Sequence, residues 1–285
     1  MKVVESAKKM QSYSDGLRAH GEKIAFVPTM GYFHRGHIRL MEEAKKLADH
    51  VVVSIYVNPT QFGPKEDFSK YPRDLDQDLK MAEGADVDVV FHPSNQDMYP
   101  KHYQTYVDVE EVTRNLCGMS RPGHFRGVAT VCCKLFNIVE PHVAVFGKKD
   151  FQQLVTIKRM IEDLNMNLQI VGVPTVREAD GLAMSSRNKY LQSGERKSAL
   201  SLSKALKLAQ KLYSKGEKKS SVVIGQVERL IRKAPFTNID YIKICDTKTL
   251  NDVRMITNQS FLALAVKVGN TRLIDNHVFG EELKI

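Results

Sequence analysis

The sequence predicts an α/β protein, a parallel sheet flanked by helices, with a second, smaller α+β domain. Three observations carry this. Through the first 175 residues short apolar runs alternate with amphipathic stretches. One run, residues 51–57 (VVVSIYV), is apolar on both faces, as a parallel strand covered by helices must be. Beyond Pro174 two long amphipathic helices come first and three strands follow, the segregated order of α+β folds. The boundary therefore falls near Thr175, giving domains 1–175 and 176–285, with residues 177–187 bridging them.

Residues 2–21 read as an opening helix and 24–27 as a strand, which Pro28 and Gly31 close. From Gly36, His37, Ile38, Leu40, Met41, Ala44, Leu47 and Ala48 keep a helical apolar spacing. With the strand at 51–57 this completes a βαβ unit. The long turn-rich segment 58–73 (NPTQFGPKEDFSKYPR) is too irregular for an element and reads as a binding loop or lid, or otherwise as a disordered connector. Residues 74–83 form a helix stopped at Gly84, 87–91 a third strand, and 105–109 a weaker one. From Val128, positions Val131, Cys132, Leu135, Phe136 and Val139 trace one helix face that ends before Pro141. A second βαβ unit follows: strand 143–146, helix 151–164, strand 168–173. The C-terminal part reads as helices 195–215 and 221–234, then strands 239–245, 261–268 and 273–278.

The 285 residues suffice for a sizeable core, and the formal charge of +9 favours anionic ligands. Acidic residues are interspersed almost throughout, and the densest basic cluster, 211–221, has the pattern of a solvated helix end and turn. The charge therefore points to small anionic substrates, with no nucleic acid partner expected, although a nucleic-acid-binding module is the rival reading of another class. The amino terminus lacks an apolar signal core, and the longest apolar run, 261–266, fits a buried strand, so no membrane partner and a cytoplasmic address are expected. Cys117, Cys132, Cys133 and Cys245 have no metal-ligand spacing and read as reduced structural thiols.

The chemistry concentrates in residues 24–37, IAFVPTMGYFHRGH. A helix amino terminus carries unpaired N–H groups and partial positive charge, so the turn before His37 suits phosphate. Gly31 and Gly36 let the backbone approach a ligand, and His34 and His37 can donate to phosphoryl oxygens. The bland alternative is a loop histidine and a helix-start histidine with no ligand. Zinc is disfavoured, because the pair is i, i+3 and lacks a third ligand. Gly147, Lys148 and Lys149 follow a strand at the end where open α/β sheets bind ligands. Asp150 and Gln153 have capping-box spacing, which leaves a purely structural role open. Ser185, Ser186 and Arg187 offer hydroxyl and guanidinium donors matched to triphosphate oxygens.

GYFHRGH after an apolar strand resembles the HxGH, or HIGH, signature of the nucleotidyltransferase superfamily, and MSSR resembles that superfamily's second, mobile signature. Together with VSIYVNPTQF, YPRDLDQDL, SRPGHFRGV, FGKKDFQQL and TRLIDN, in order and spacing, the chain resembles the pantothenate synthetase (pantoate beta-alanine ligase) family.

The resemblance implies a Rossmann-like first domain binding nucleotide and pantoate, and a smaller C-terminal domain closing over the ATP site. It implies condensation of pantoate and β-alanine through a pantoyl adenylate, with AMP and pyrophosphate released. It also implies Mg²⁺ carried by ATP, no protein metal ligand, and a homodimer. By the same resemblance Met30, Gly31, Tyr32, Phe33, His34, Arg35, Gly36, His37, Gly147, Lys148, Lys149, Asp150, Val176, Met184, Ser185, Ser186 and Arg187 line the ATP site. His37, His34, Lys149, Ser185, Ser186 and Arg187 carry the chemistry, Gln61 and Gln153 orient pantoate, and Asn58, Arg121 and His124 lie near the small-substrate end. The chain departs from the family pattern at Phe33, usually leucine, and at Lys148, where an acid or amide is commoner. Residues 62–71 are the expected wall or lid that keeps water from the adenylate. Another nucleotidyltransferase of the same fold, moving AMP or CMP onto a phosphate ester, is the nearest rival.

Overall fold

The computed structural model describes residues 1–64 and 66–285; Lys65, inside the predicted lid, lies outside the described residues. The chain forms two compact units, one of residues 1–110, 121–148 and 156–174, the other of residues 111–120, 149–155 and 175–285.

The first unit is built on β1 (Lys2–Val4), α1 (Ala7–Ala19), β2 (Ile24–Thr29), α2 (Arg35–Lys45), β3 (His50–Ile55), α3 (Leu75–Glu83), β4 (Val89–Phe91) and the short α4 (Asn95–Met98). Further along, α6 (His124–Val139) and β5 (Val143–Gly147) return the chain to the sheet, and α7 (Phe151–Asp163) leads to β6 (Gln169–Val173); the one-turn α5 (Cys117–Ser120) and the start of α7, through residue 155, belong to the second unit. Among the described residues six strands form one sheet in the order β1-β4-β3-β2-β5-β6, every pair parallel. Ala25, Val27, Val51, Val53, Val143 and Val145 from its strands meet Met41 and Ala44 of α2 in one buried cluster. These doubly covered runs explain why the strands read as continuous apolar stretches.

The second unit contains α8 (Ser193–Ser214), α9 (Ser220–Arg232), β7 (Thr237–Asp246), β8 (Ser260–Val268) and β9 (Thr271–Val278). Among the described residues the three strands form an antiparallel sheet with β8 in the centre. Leu202 and Leu206 of α8, Val223 and Val227 of α9, and Leu262, Leu264 and Val266 of β8 share its core. No helix among the described residues is long and apolar enough to cross a membrane.

Besides the short helices α4 and α5 and a 3₁₀ turn at Pro59–Gln61, which the sequence did not signal, three departures from the sequence expectation have a local cause. Lys2–Val4 is an edge strand instead of the first turn of a helix, because its backbone pairs with Val89–Phe91 of β4. Residues 105–109 join no strand: the Val107 N–H donates to Thr130 Oγ1 at 3.0 Å, and that hydroxyl donates back to the Val107 carbonyl at 3.4 Å, so a side chain replaces a ladder. Helix α6 begins four residues before Val128, where Gly123 at φ +80° turns the chain into it.

Candidate active site

The strand order reverses between β2 and β5: from β2 the chain builds outward through β3 and β4, and on the other side through β5 and β6. Ligands of open α/β sheets bind outside the carboxyl ends of the strands at such a reversal. The register Ala25↔Val143 and Phe26↔Ala144 brings the ends of β2 and β5 to one edge. Met30–His37 leaves from the first of these ends and Gly147 and Lys148 from the second, so the structure brings these predicted residues together.

The turn after β2 is rigidly specified. Thr29 Oγ1 donates to the Ser54 carbonyl at 2.6 Å and accepts the Gly31 N–H at 3.1 Å. Gly31 lies at φ +78°, and a Cβ there would stand 2.8 Å from Asp78 Oδ2 and 3.0 Å from Ile55 Cγ2, so a larger residue is excluded twice. Tyr32 follows at φ +54°, unusual for a bulky residue and held by its surroundings. What holds it is Asp78 of α3. Its Oδ2 accepts the Tyr32 N–H at 2.7 Å and its Oδ1 the Phe33 N–H at 2.6 Å. Burial pushes this carboxyl above the usual range against the pull of those two N–H bonds.

His34 and His37 form a reciprocal cap on α2. The His34 Nδ1 accepts the Gly36 N–H at 3.1 Å, and the His37 Nδ1 accepts the His34 N–H at 3.2 Å. Backbone N–H groups only donate, so in these bonds both rings are neutral with the proton on Nε2. The rings stack with centroids 4.1 Å apart, and Phe33 backs His37 at 5.4 Å. The N–H groups of Gly31, His34 and Gly36 are thus spent inside the turn and those of Tyr32 and Phe33 on Asp78 of α3, although the sequence suggested a turn open to phosphate. The donors that this cap orients are the imidazole Nε2–H groups.

At the predicted small-substrate end, Asn58 and Gln61 are both buried. Asn58 Nδ2 donates to Gln61 Oε1 and to the Gly127 carbonyl, each at 3.1 Å, while its Oδ1 accepts from the Thr60 and Tyr99 hydroxyls, each at 2.9 Å. Asn58 therefore fixes the Gln61 amide, whose Nε2 is directed to Met30 Sδ at 3.2 Å. A Cβ on Gly127 would meet the Thr60 carbonyl and lie 2.6 Å from the Gln61 nitrogen, so α6 touches this turn only because it has a glycine there.

Arg121 donates through Nε to Glu66 Oε1 at 2.7 Å, through Nη2 to Glu66 Oε2 at 2.5 Å and to the Gln61 carbonyl at 3.3 Å. His124 accepts from Arg121 Nη1 on Nε2 at 3.0 Å and donates from Nδ1 to the Gln61 carbonyl at 2.8 Å. Burial would raise the Glu66 carboxyl, but the bonds from Arg121 hold it below its ordinary range. Arg121 and His124 thus bind the loop that carries Glu66, which is packed by its own rings, Phe62 against Phe68 at 5.4 Å and against Tyr71 at 5.9 Å.

In the second unit the predicted residues lie on two segments. Lys149 and Asp150 end a short 3₁₀ turn, Lys148–Asp150, that runs into α7 carrying Gln153, with Lys149 Nζ 4.0 Å from Asp150 Oδ2. The neighbouring Gln152 is structural: it accepts the Cys117 N–H at 2.9 Å and donates to the Val112 and Asn115 carbonyls. The other segment is a tight hairpin. The Met184 N–H donates to the Val176 carbonyl at 2.9 Å, Arg177 bridges Ala183, and Gly181 turns at φ +92°. Ser185 then caps a 3₁₀ turn, Ser186–Tyr190, its Oγ accepting the Arg187 N–H at 3.3 Å.

The sequence reading missed Asp78, Gly127, Arg177, Asp275 and Asn276 as residues that position these segments. Asp78 sits among acids at a helix start, and there its local signal is that of a cap.

A parallel sheet flanked by helices, with a turn of paired imidazole donors at its reversal point, defines an α/β protein of the kind that binds its ligand at that point. The pantoate-beta-alanine ligase family profile matches residues 2–278. Over 285 residues the chain is 63% identical to the pantothenate synthetase of Syntrophus aciditrophicus, covering all of both chains. It is 56% identical to that of Geobacter sulfurreducens, over 99% of this chain and 100% of the relative. A crystal structure of pantothenate synthetase from Thermus thermophilus superposes with a TM-score of 0.93 at 40% identity, covering 98% of this chain and 99% of that one. A Francisella tularensis pantoate-beta-alanine ligase, complexed with beta-gamma ATP and beta-alanine, does so at 0.81 and 34%, over 99% of each chain. The chain belongs to the pantoate-beta-alanine ligase family.

Proposed function

We propose that the protein is an ATP-dependent ligase joining pantoate to β-alanine in the biosynthesis of pantothenate. The pantoate carboxylate attacks the α-phosphorus of ATP and expels pyrophosphate. The β-alanine amine then attacks the acyl carbon of the pantoyl adenylate and expels AMP. Full-length identity to pantothenate synthetases carries this reading.

The first step brings two anionic groups together, so catalysis depends on donors already aimed where charge develops. The assigned donors are His34, His37, Lys149, Ser185, Ser186 and Arg187, and the observation that best supports them is the reciprocal Nδ1 cap, which commits both histidines to Nε2–H donation. Met30–His37, Gly147–Asp150, Val176 and Met184–Arg187 are assigned to ATP. Gln61 and Gln153 are assigned to pantoate, with Asn58 orienting Gln61. Arg121 and His124 serve the small-substrate end by holding the Gln61 carbonyl and Glu66. No protein nucleophile is required, since the adenylate is the activated species.

Residues 1–175 are assigned to nucleotide and pantoate, and residues 176–285 to the movable phosphate-binding segment. Mg²⁺ is proposed to enter with ATP, held by phosphate oxygens and water, and the residues fit that role: Asp78, the buried acid beside the turn, already spends both oxygens on backbone N–H groups. The four cysteines are free thiols, which supports a reducing, cytoplasmic setting. A homodimer is proposed from family membership.

The test is product formation. AMP should appear only when ATP, pantoate and β-alanine are all present, with pantothenate in equal amount. Pyrophosphate release driven by a phosphate ester instead would favour a nucleotidyltransferase of another specificity.

A further inference from the structure

The motif TRLIDN places Asp275 and Asn276 side by side on β9, where successive side chains point to opposite faces. Each reaches one of the two segments of this unit assigned above to ATP. Asn276 Nδ2 donates to the Lys149 carbonyl at 2.7 Å. Asp275 is buried and receives Arg177 in a two-pronged pair, Nη1 to Oδ2 at 2.7 Å and Nη2 to Oδ1 at 3.0 Å. The same Arg177 Nη1 donates to the Gly181 carbonyl at 3.2 Å, at the turn of the hairpin that ends in Met184. The dipeptide is itself stiffened, since Asp275 Oδ1 also accepts the Asn276 N–H at 2.9 Å.

The pairing has consequences for both segments. Lys149 lies on a 3₁₀ turn, where a lost carbonyl bond leaves the lysine's direction unfixed. The hairpin from Val176 to Met184 is short, and an ion pair buried on both sides, 8% and 2% exposed, ties its root to the sheet. Both segments are thereby referred to one rigid strand of an antiparallel sheet. Placement of catalytic groups on regular elements is what gives a site its precision.

We infer that Asp275 and Asn276 are positioning residues for adenylate formation, Asn276 acting through the Lys149 turn and Asp275 through Arg177 and the hairpin leading to Ser185–Arg187. This rests on the assignment of Lys149 and Ser185–Arg187 to ATP.

Asn276 is the residue to test, because Asp275 variants would strand a buried guanidinium and unfold the unit. The experiment is a double-mutant cycle in the full chain, read as pantoate-dependent exchange of pyrophosphate into ATP, for Asn276→Ala, Lys149→Ala and both, with thermal unfolding of each. Asn276→Ala should lower exchange by roughly 10²-fold, as misplacement of a catalytic group does. Asn276→Asp, which keeps the shape but cannot donate, should match it. In the Lys149→Ala background the same substitution should change exchange by less than about threefold, because the group it positions is gone. An equal loss in both backgrounds, or no loss in either, would overturn the inference while leaving the Lys149 assignment standing. Normal exchange by Lys149→Ala would instead overturn that assignment, and the inference with it.

Discussion

The carboxylate of Asp78 accepts the backbone N–H of Tyr32 at 2.7 Å, and by that bond a residue of α3 sets the shape of the turn after β2. The second oxygen does the same for Phe33 at 2.6 Å. Both N–H groups point at protein, so the turn is complete before any nucleotide arrives, and ligand binding need not order it.

Asp78→Asn should expose this dependence. An amide keeps the shape but presents N–H₂ to one of two backbone donors, leaving a buried N–H without an acceptor. The expected loss is about 1–3 kcal/mol of stability, with a KM for ATP raised at least tenfold. Denaturant unfolding and steady-state kinetics at varied ATP measure both; an unchanged KM would separate Asp78 from the nucleotide turn.

Gly127→Ala drives a Cβ into the backbone of Thr60 and Gln61. The neighbour is main chain and cannot rotate away, so the helix or the turn must shift, at a cost of about 1–3 kcal/mol. The KM for pantoate should rise more than that for ATP, because Gln61 moves and the α2 turn does not. Equal changes in both constants would contradict the division of roles.

Arg121→Ala should uncouple the reaction rather than abolish it. Without its guanidinium, Glu66 loses both of the bonds that hold its loop beside Gln61. Water should then reach the adenylate, and AMP formed per pantothenate should rise above one, measured by quantifying both products. A ratio that stays at one with reduced rate would show that the loop does not guard the intermediate.

His277 gives the second unit a pH dependence. Burial lowers its pKa to about 4, Glu281 pulling it up and Arg177 pushing it down, and its Nε2 donates to Gln210 Oε1 at 2.9 Å. The folded state therefore binds fewer protons than the unfolded one between about pH 6.5 and 4, so stability is full above that window and is lost as pH falls through it. The loss should approach about 3 kcal/mol, and His277→Asn should flatten that part of the profile, read as Tm against pH. A wild-type Tm independent of pH in this window would refute the assignment.

The fold was legible where burial writes a pattern. The apolar runs that became β2, β3 and β5 are covered on both faces, and α6 keeps one apolar face in register. Lys2–Val4 was not legible, because three residues carry no period and only pairing with β4 makes them a strand. The same distinction runs through the site. His34, His37, Lys149 and the SSR segment stand out through the resemblance of their motifs to a family, since residue type and local spacing alone leave each of them a structural role. Asp78, Gly127 and Asn276 act on residues 46, 66 and 127 positions away in sequence, as in Asp78 to Tyr32, Gly127 to Gln61 and Asn276 to Lys149. Asn58 shows the converse: the motif around it suggests a substrate contact, yet its amide holds Gln61 and α6.

In the proposed reaction the turn of His34 and His37 supports attack of a carboxylate on ATP. The most direct measurement is exchange of labelled pyrophosphate into ATP without β-alanine, in wild type and in His37→Ala. Exchange that requires pantoate and falls by at least about 10²-fold in a folded His37→Ala is the expected result. Exchange independent of pantoate, or retained when His37 is gone, would rule out this role for the turn.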